Sequence, residues 1–347
     1  MRHRLPHPLL LRRLLAAAGI GLVVGFAFVA FFTSALHDPK PNALRIAVVG
    51  APPAAAQVAG RLSQVVPGGF DVRRYSDERE ARRAVRKQDI AGAFVPGSAG
   101  PRLLLAGGDG VNVTNVLRAA FGGAAAAEHQ RLVVEDLAPL PEHDARGVSA
   151  FFVVAGTTLG SLVFGITLFF AGGHALTTPI RVRLILIGAF SVAAGLVMAS
   201  ATELVADGLG DRFWSVAGIA ALLAAVVALI TTALVRWIGT PGIALSALFL
   251  MLFSLPAAGG AIGPEFVPDF YRGVAPALPS HAALTALKGS VYFDGGGTLG
   301  PLAILAAWAL AALLVQVAAH VLRGQPPIPP RTGSPLDHQR ELTAVVP

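Results

Sequence analysis

Residues able to do covalent or acid–base chemistry are scarce in this chain and do not cluster. There is no Cys, which excludes disulfides, thiolate metal sites and cysteine nucleophiles. The nine His residues are dispersed, with no H-E-x-x-H pair or other metal spacing. Gly107-Gly108-Asp109-Gly110 reads as a turn before a helix, because no Lys-Ser or Lys-Thr follows it. No Walker A sequence occurs anywhere, so the chain does not itself hydrolyse nucleotide by that route. The first strand runs into Gly50-Ala51-Pro52-Pro53, where a dinucleotide fold would need G-x-G-x-x-G, and this too reads as a plain turn. Asn112-Val113-Thr114 fits a glycosylation acceptor, a triplet that also arises by chance. No catalytic residue, cofactor or metal ligand is expected, and the chain does not read as an enzyme.

The elements that must position any functional residue are mostly apolar. Hydrophobic residues make up 54% of the 347, charged residues only 14%, and the mean hydropathy is +0.66, beyond what a soluble domain carries. Six runs of about 20 residues, enough to cross ~30 Å of hydrocarbon at ~1.5 Å per residue, lie near 14–36, 149–171, 184–204, 213–235, 240–262 and 300–322. The first is too long for a signal-peptide core and lacks a good cleavage site near Ser34, so it reads as an uncleaved anchor. Arg2, Arg4, Arg12, Arg13, Arg181, Arg183, Arg236 and Arg323 all fall on one side of a six-span layout, which puts both termini in the cytoplasm of a multi-pass cell-membrane protein. The same bias accounts for the net charge of +7; with only three Lys and scattered Arg, nucleic-acid binding is not indicated.

The predicted fold is therefore an α-helical multi-pass membrane protein with six transmembrane helices and a small α/β extracytoplasmic domain inserted between helices 1 and 2. Residues 1–36 hold the cytoplasmic N-terminus and the first helix, 37–148 the inserted domain, 149–322 five further helices, and 323–347 a polar, Pro-rich cytoplasmic tail expected to be disordered. In the inserted domain, strands are expected at 44–49, 70–75, 90–95, 102–105 and 132–137. Helices are expected at 54–65, at 77–86 behind an Asp77/Glu80 capping box, and at 113–131.

Polar residues inside the apolar runs are few. Glu203 falls at an outer end, so the mid-bilayer carboxylate of an ion-coupled carrier is lacking, which argues against secondary transport. His174 and His320 fall at cytoplasmic ends, where an imidazole is solvated. Thr157, Thr158, Thr231, Thr232 and Gln316 are expected to bond between helices or to their own backbone, and Gly156-x-x-x-Gly160 to permit close packing within the bundle. The most specific local signal is the segment 263–299. Pro256 and Gly259-Gly260 weaken the preceding helix, and Ser280 and Gly289 are expected to bound a short helix. Phe266, Val267, Phe270, Val274, Leu278, Leu284 and Leu287 are too apolar for a free loop, which suggests either short helices dipping into the outer leaflet or a cap folded onto the α/β domain.

This layout, with its exit through Pro264, Pro268, Tyr271 and Arg272, then Pro276 and Pro279, an Ala/Leu helix and Val291-Tyr292-Phe293, resembles an ABC-2-type transporter permease. It is most similar to the branch containing the YhgE/Pip phage-infection-protein-like membrane proteins. The resemblance implies a homodimer, or a heterodimer with a second permease, in the lipid bilayer, driven by a separate cytoplasmic ABC ATPase subunit. It also implies that His174, Thr177, Pro179, Arg181 and Arg183 form the coupling segment, with Pro264, Pro268, Tyr271, Arg272, Pro276 and Pro279 in the outer re-entrant segment. The implied function is export of a hydrophobic or amphipathic substrate. The alternative is a non-transporting scaffold or receptor whose outer domain binds a cell-envelope or phage component.

Overall fold

The computed structural model describes residues 8–37, 39–97, 100–127, 129–171, 179–206, 212–260 and 262–323. It is mostly helical, which is compatible with a helical membrane protein, and joins an α/β unit to a helical bundle. In the α/β unit, strands β1 (Leu44–Val49), β2 (Phe70–Tyr75), β3 (Gly92–Val95), β4 (Arg102–Leu105) and β5 (Val133–Asp136) form one sheet in the order β2-β1-β3-β4-β5. Only the β3–β4 pair is antiparallel. Parallel pairing needs crossovers, supplied by α2 (Pro52–Val65) between β1 and β2 and by α4 (Val111–Ala127) between β4 and β5; α3 (Glu78–Arg86) links β2 to β3. Central β1 is apolar almost throughout because both faces are covered, whereas edge strand β2 carries Asp71, Arg73 and Arg74.

Strand alternation divides the unit into two cores. Leu44, Ile46, Leu103 and Leu105 pack with Leu62 of α2 and with Leu117 and Phe121 of α4. The opposite face, through Ala47, Val49, Ala93 and Leu104, packs with Ala81, Ala84 and Val85 of α3, and that core continues without a break into the bundle. Asp77 caps α3 by accepting the Arg79 amide at 3.1 Å, one residue before the Glu80 amide that the expected capping box would use.

Among the described residues, four bundle helices are long and apolar enough to cross a membrane: α5 (Ser149–Ala171), α6 (Ile180–Ala206), α7 (Phe213–Ile238) and α12 (Leu299–Arg323). Helix α7 is the centre, with 72% of its apolar window buried, against 22% for α6 and for α12. The outer faces of those two helices show Ile185, Val192, Val197, Leu314 and Val321, as lipid contact demands. Helix α1 (Pro8–Leu36) meets the bundle near its C-terminal end, where Ala35 is buried against Ala257 and Tyr271.

The fifth apolar run is shorter than expected. It comprises α8 (Pro241–Ala247), a π-helical stretch (Leu248–Ser254) and α9 (Leu255–Ala257). Pro256 has no N–H to continue the ladder, and Gly259 and Gly260 follow at φ +85° and +54°, which ends the helix at the position their sequence marks. Close helix approach also occurs away from the expected pair. Gly160 faces open space, whereas a Cβ on Gly195 would lie 2.2 Å from Ala217 O and one on Gly165 would lie 2.8 Å from Thr231 Cγ2. These two glycines, not Gly160, set the α6–α7 and α5–α7 spacing.

Candidate functional site

The segment after α9 is a folded cap rather than a loop. It contains α10 (Asp269–Val274) and α11 (Pro279–Tyr292) between short 3₁₀ turns. Of its apolar residues, Phe266, Val267, Leu278, Leu284 and Leu287 are buried and Phe270 is exposed. Phe266 packs into the α2/α4 core of the sheet, while Leu284 and Leu287 join the core shared by α3 and the bundle. Backbone and side-chain bonds pin the same contact: Asn42 N donates to Glu265 O at 2.9 Å, Asn112 Nδ2 to Ile262 O at 3.2 Å, and Gln88 Nε2 to Gly296 O at 2.8 Å. Trp308 Nε1 of α12 donates to Ala277 O at 2.8 Å on the bundle side.

Both expected bounds of α11 differ from those found. Pro279 begins the helix, Leu278 precedes it without a side-chain cap, and the Ser280 amide is satisfied by Ser254 Oγ at 3.2 Å, from the π-helical stretch. Gly289 does not end the helix. A Cβ there would meet Gly296 O at 2.6 Å and Gln88 Nε2 at 2.8 Å, so its role is to let the loop after α11 and the α/β unit approach. The helix ends beside Asp144, whose carboxylate accepts the amides of Val148 (3.1 Å) and Ser149 (3.4 Å) at the start of α5 and the hydroxyl of Tyr292. Burial, and then this bond, push the Tyr292 hydroxyl's pKa up.

Between cap and sheet lies a cavity of about 400 Å³. Arg45 on β1, Asp109 in the turn before α4, Glu265 in the cap, and His281, Thr285 and Lys288 of α11 supply its polar wall. Lys288 Nζ donates to the backbone carbonyl of Asp109 at 3.1 Å, and Thr285 Oγ1 lies 3.5 Å from His281 Nε2. Asp109 Oδ2 and His281 Nδ1 are inaccessible to solvent and have no hydrogen-bond partner among the described residues. Burial, reinforced by the Glu265 charge and opposed by Lys288 and Arg45, pushes the Asp109 carboxyl up to about 8. Burial, with Lys288 and Arg45 adding repulsion, pulls the His281 imidazole down to about 4. Burial thus favours the uncharged form of both groups.

Of the predicted outer residues, Pro264, Arg272 and Pro276 line this cavity. Arg272 is held by Asp269 at 2.9 Å and by the Asn42 carbonyl at 3.4 Å. Tyr271 is buried and its hydroxyl lies 2.7 Å from Ser34 Oγ of α1. Pro279 starts α11 and is buried, and Pro268 is exposed. Asp109, His281 and Lys288 were missed as site residues. The spacing of His281, Thr285 and Lys288 at i, i+4 and i+7 puts a polar stripe on an otherwise apolar helix, a signal present in the sequence.

At the other end of the bundle, His174 and Thr177 lie outside the described residues, as does the tail from 324 onward. Pro179 and Arg181 are exposed at the start of α6. Arg183, expected as a contact for a partner, is instead 1% exposed, with Nε and Nη1 lacking hydrogen-bond partners among the described residues. It turns inward because α6 packs along α7, on whose last turn Arg236 stands. The hydroxyls of Thr231 and Thr232 donate to the carbonyls of Val227 (2.8 Å) and Ala228 (2.7 Å), and Gln316 Nε2 donates to Thr232 Oγ1, so these residues knit α7 to itself and to α12. No protein-family model, curated protein or solved structure matches this chain.

Proposed function

We propose that this chain is the membrane subunit of an ATP-driven ABC-2-type exporter, in the YhgE/Pip-like branch, that moves a hydrophobic or amphipathic substrate using a separate cytoplasmic ATPase. In this reading six helices span the cell membrane, the four long ones together with α1 and α8–α9, and the subunit works as a homodimer or beside a second permease. The α/β unit and cap lie outside the cytoplasm and both termini inside. The observation that carries the reading is the cap between α9 and α12. It is the most specific part of the sequence resemblance, and it locks an α/β unit onto the helices where such permeases have their outer segment.

Two further features support it. The basic positions Arg12, Arg13, Arg181, Arg183, Arg236 and Arg323 all belong to helix ends remote in sequence from the α/β unit, as positive-inside topology requires. Exposed Pro179 and Arg181 offer an ATPase a contact at the start of α6. The polar cavity favours a second reading, a scaffold or receptor that binds an envelope component through its outer unit.

The deciding experiment is purification of the chain from its native membrane in mild detergent, with co-purifying proteins identified and ATP hydrolysis assayed. A stoichiometric Walker-motif ATPase whose activity depends on this chain supports the exporter. A clean, nucleotide-inert preparation favours the receptor. Arg181→Glu is expected to weaken ATPase association while leaving folding intact.

A further inference from the structure

The C-terminal half of α3 carries Arg82, Arg83, Arg86 and Lys87 with no acid among them. Arg82 is committed within the α/β unit, to Glu78 at 2.9 Å and Glu135 at 2.5 Å, and Arg102 takes the other oxygen of Glu78. Arg83, Arg86 and Lys87 are exposed and form no ion pair among the described residues; Arg86 feels the Glu135 charge without pairing with it. With Arg79 they make a stripe on the face of α3 opposite buried Ala81, Ala84 and Val85. Exposed Glu80 and Asp89 offset only part of that charge. The helix dipole favours cations within the last turn alone, so it does not account for a stripe that starts at Arg79.

Position supplies an independent observation. The carbonyls of Arg86 and Lys87 press on the loop that leads into α12: a Cβ on Gly296 would lie 2.1 Å from Arg86 O and one on Gly297 2.6 Å from Lys87 O, while Gln88 Nε2 donates to Gly296 O at 2.8 Å. Helix α12 starts just beyond this loop at Leu299, which is 84% exposed. The same loop holds the start of α7, where Arg212 pairs with Asp294 at 2.8 Å and Trp214 is 75% exposed. An exposed Trp at the end of an apolar helix marks the membrane–water interface. The headgroup layer there is ~5–8 Å thick, and long cationic side chains extend into it from such a loop. Arg83 stands ~5 Å along the helix from Arg86, inside a screening length of ~8 Å.

We propose that Arg83, Arg86 and Lys87 bind the anionic headgroups of lipids around the start of α12, so that charge as well as the shared core holds the α/β unit on the bilayer. The guanidinium forks of Arg83 and Arg86 suit phosphate oxygens, and Lys87 adds a point charge. Lipid fits this stripe better than an acidic protein segment does, because the apolar surface of α12 beginning at the same level is already a lipid contact. Each cation near an anionic bilayer is worth about fivefold in affinity. The site does not depend on whether the chain transports.

The test uses the full chain, purified in detergent and titrated with phosphatidylglycerol or phosphatidylcholine, with bound lipid counted by native mass spectrometry. Wild type is compared with R83Q/R86Q/K87Q and with a charge-matched control, R74Q/R118Q/R131Q, at exposed residues of which Arg74 and Arg131 lie at the opposite edge of the sheet. Wild type and control are expected to prefer phosphatidylglycerol, and the α3 variant to lose that preference by about tenfold or more. Equal preference in wild type and α3 variant, equal loss in both variants, or no preference in wild type overturns the proposal. Polyglutamate is titrated in parallel; binding that the α3 variant loses, with no lipid preference in wild type, assigns the stripe to an acidic protein segment instead. If the triple variant does not fold, Lys87→Glu at the exposed end of α3 decides alone, with a loss of about fivefold or more expected and no loss overturning the proposal.

Discussion

Replacing Asp109 with Asn should change how the stability of this protein depends on pH, with a calculable sign. The Asp109 carboxyl titrates near 3.8 in an unfolded chain and is pushed up to about 8 in the fold, chiefly by burial and next by the Glu265 charge. Between those values the folded protein holds a proton that the unfolded chain has released. The stability this group contributes is therefore greatest below about pH 4, falls by about 1.4 kcal/mol per pH unit from there to about 8, and is level above. Asn cannot ionise and removes that slope. Between pH 5 and pH 7, the variant should gain about 3 kcal/mol on the wild type, and the gap should stop widening beyond pH 8. Other titrating groups are common to both proteins and largely cancel in the difference. The assay is denaturant or thermal unfolding of the full-length chain in one detergent at pH 5, 6, 7 and 9, with hydrogen exchange over residues 107–113 to detect local opening of the cap. Parallel curves for the two proteins across that range would refute the reasoning, since they would mean that the carboxyl is solvated and already ionised in the fold.

His281 has the opposite dependence. Its folded value of about 4 lies below the ordinary 6.5, so the wild type should lose stability as pH falls from about 6.5 to 4, and His281→Gln should resist that loss in the same unfolding assay. Tyr292→Phe deletes one bond to the buried Asp144 carboxylate and should cost about 1.5–3 kcal/mol, while Asp144→Ala, which also uncaps α5, should cost more. Gly195→Ala forces a Cβ toward the Ala217 carbonyl and should destabilise the protein by about 1–3 kcal/mol, whereas Gly160→Ala, which meets nothing, should be within about 0.5 kcal/mol of wild type.

The elements that were legible are those whose signal is local. β1 and β2 begin and end where their β-branched and aromatic runs do, β4 follows its Leu run, and α5 spans the full length of its uncharged run. The cap was legible as a departure from loop composition, because Phe266, Leu284 and Leu287 had to be covered by something. What covers them was not, since the sheet residues that do so lie more than 150 positions away in sequence. The same holds for the cavity. Asp109 looks like a turn residue until Lys288 is brought against its carbonyl, and Arg183 looks like a surface cation until α6 rotates it inward. Ser280 fits a helix cap by type, yet Pro279 had already set the helix start and Ser254 supplied the bond from another element.

The unbroken core that runs from the sheet through α3 and α11 into α7 has a mechanical consequence. Close-packed interiors transmit displacement instead of absorbing it, so the sheet and the central helix behave as the two arms of one lever with α11 as its fulcrum. A tilt of α7 at the end carrying Arg236 would be passed toward the sheet through α11, which packs on α7 and shares its core. A fluorophore fixed on the outer face of α2 would thus report events at the far end of the bundle, across the whole thickness of the protein.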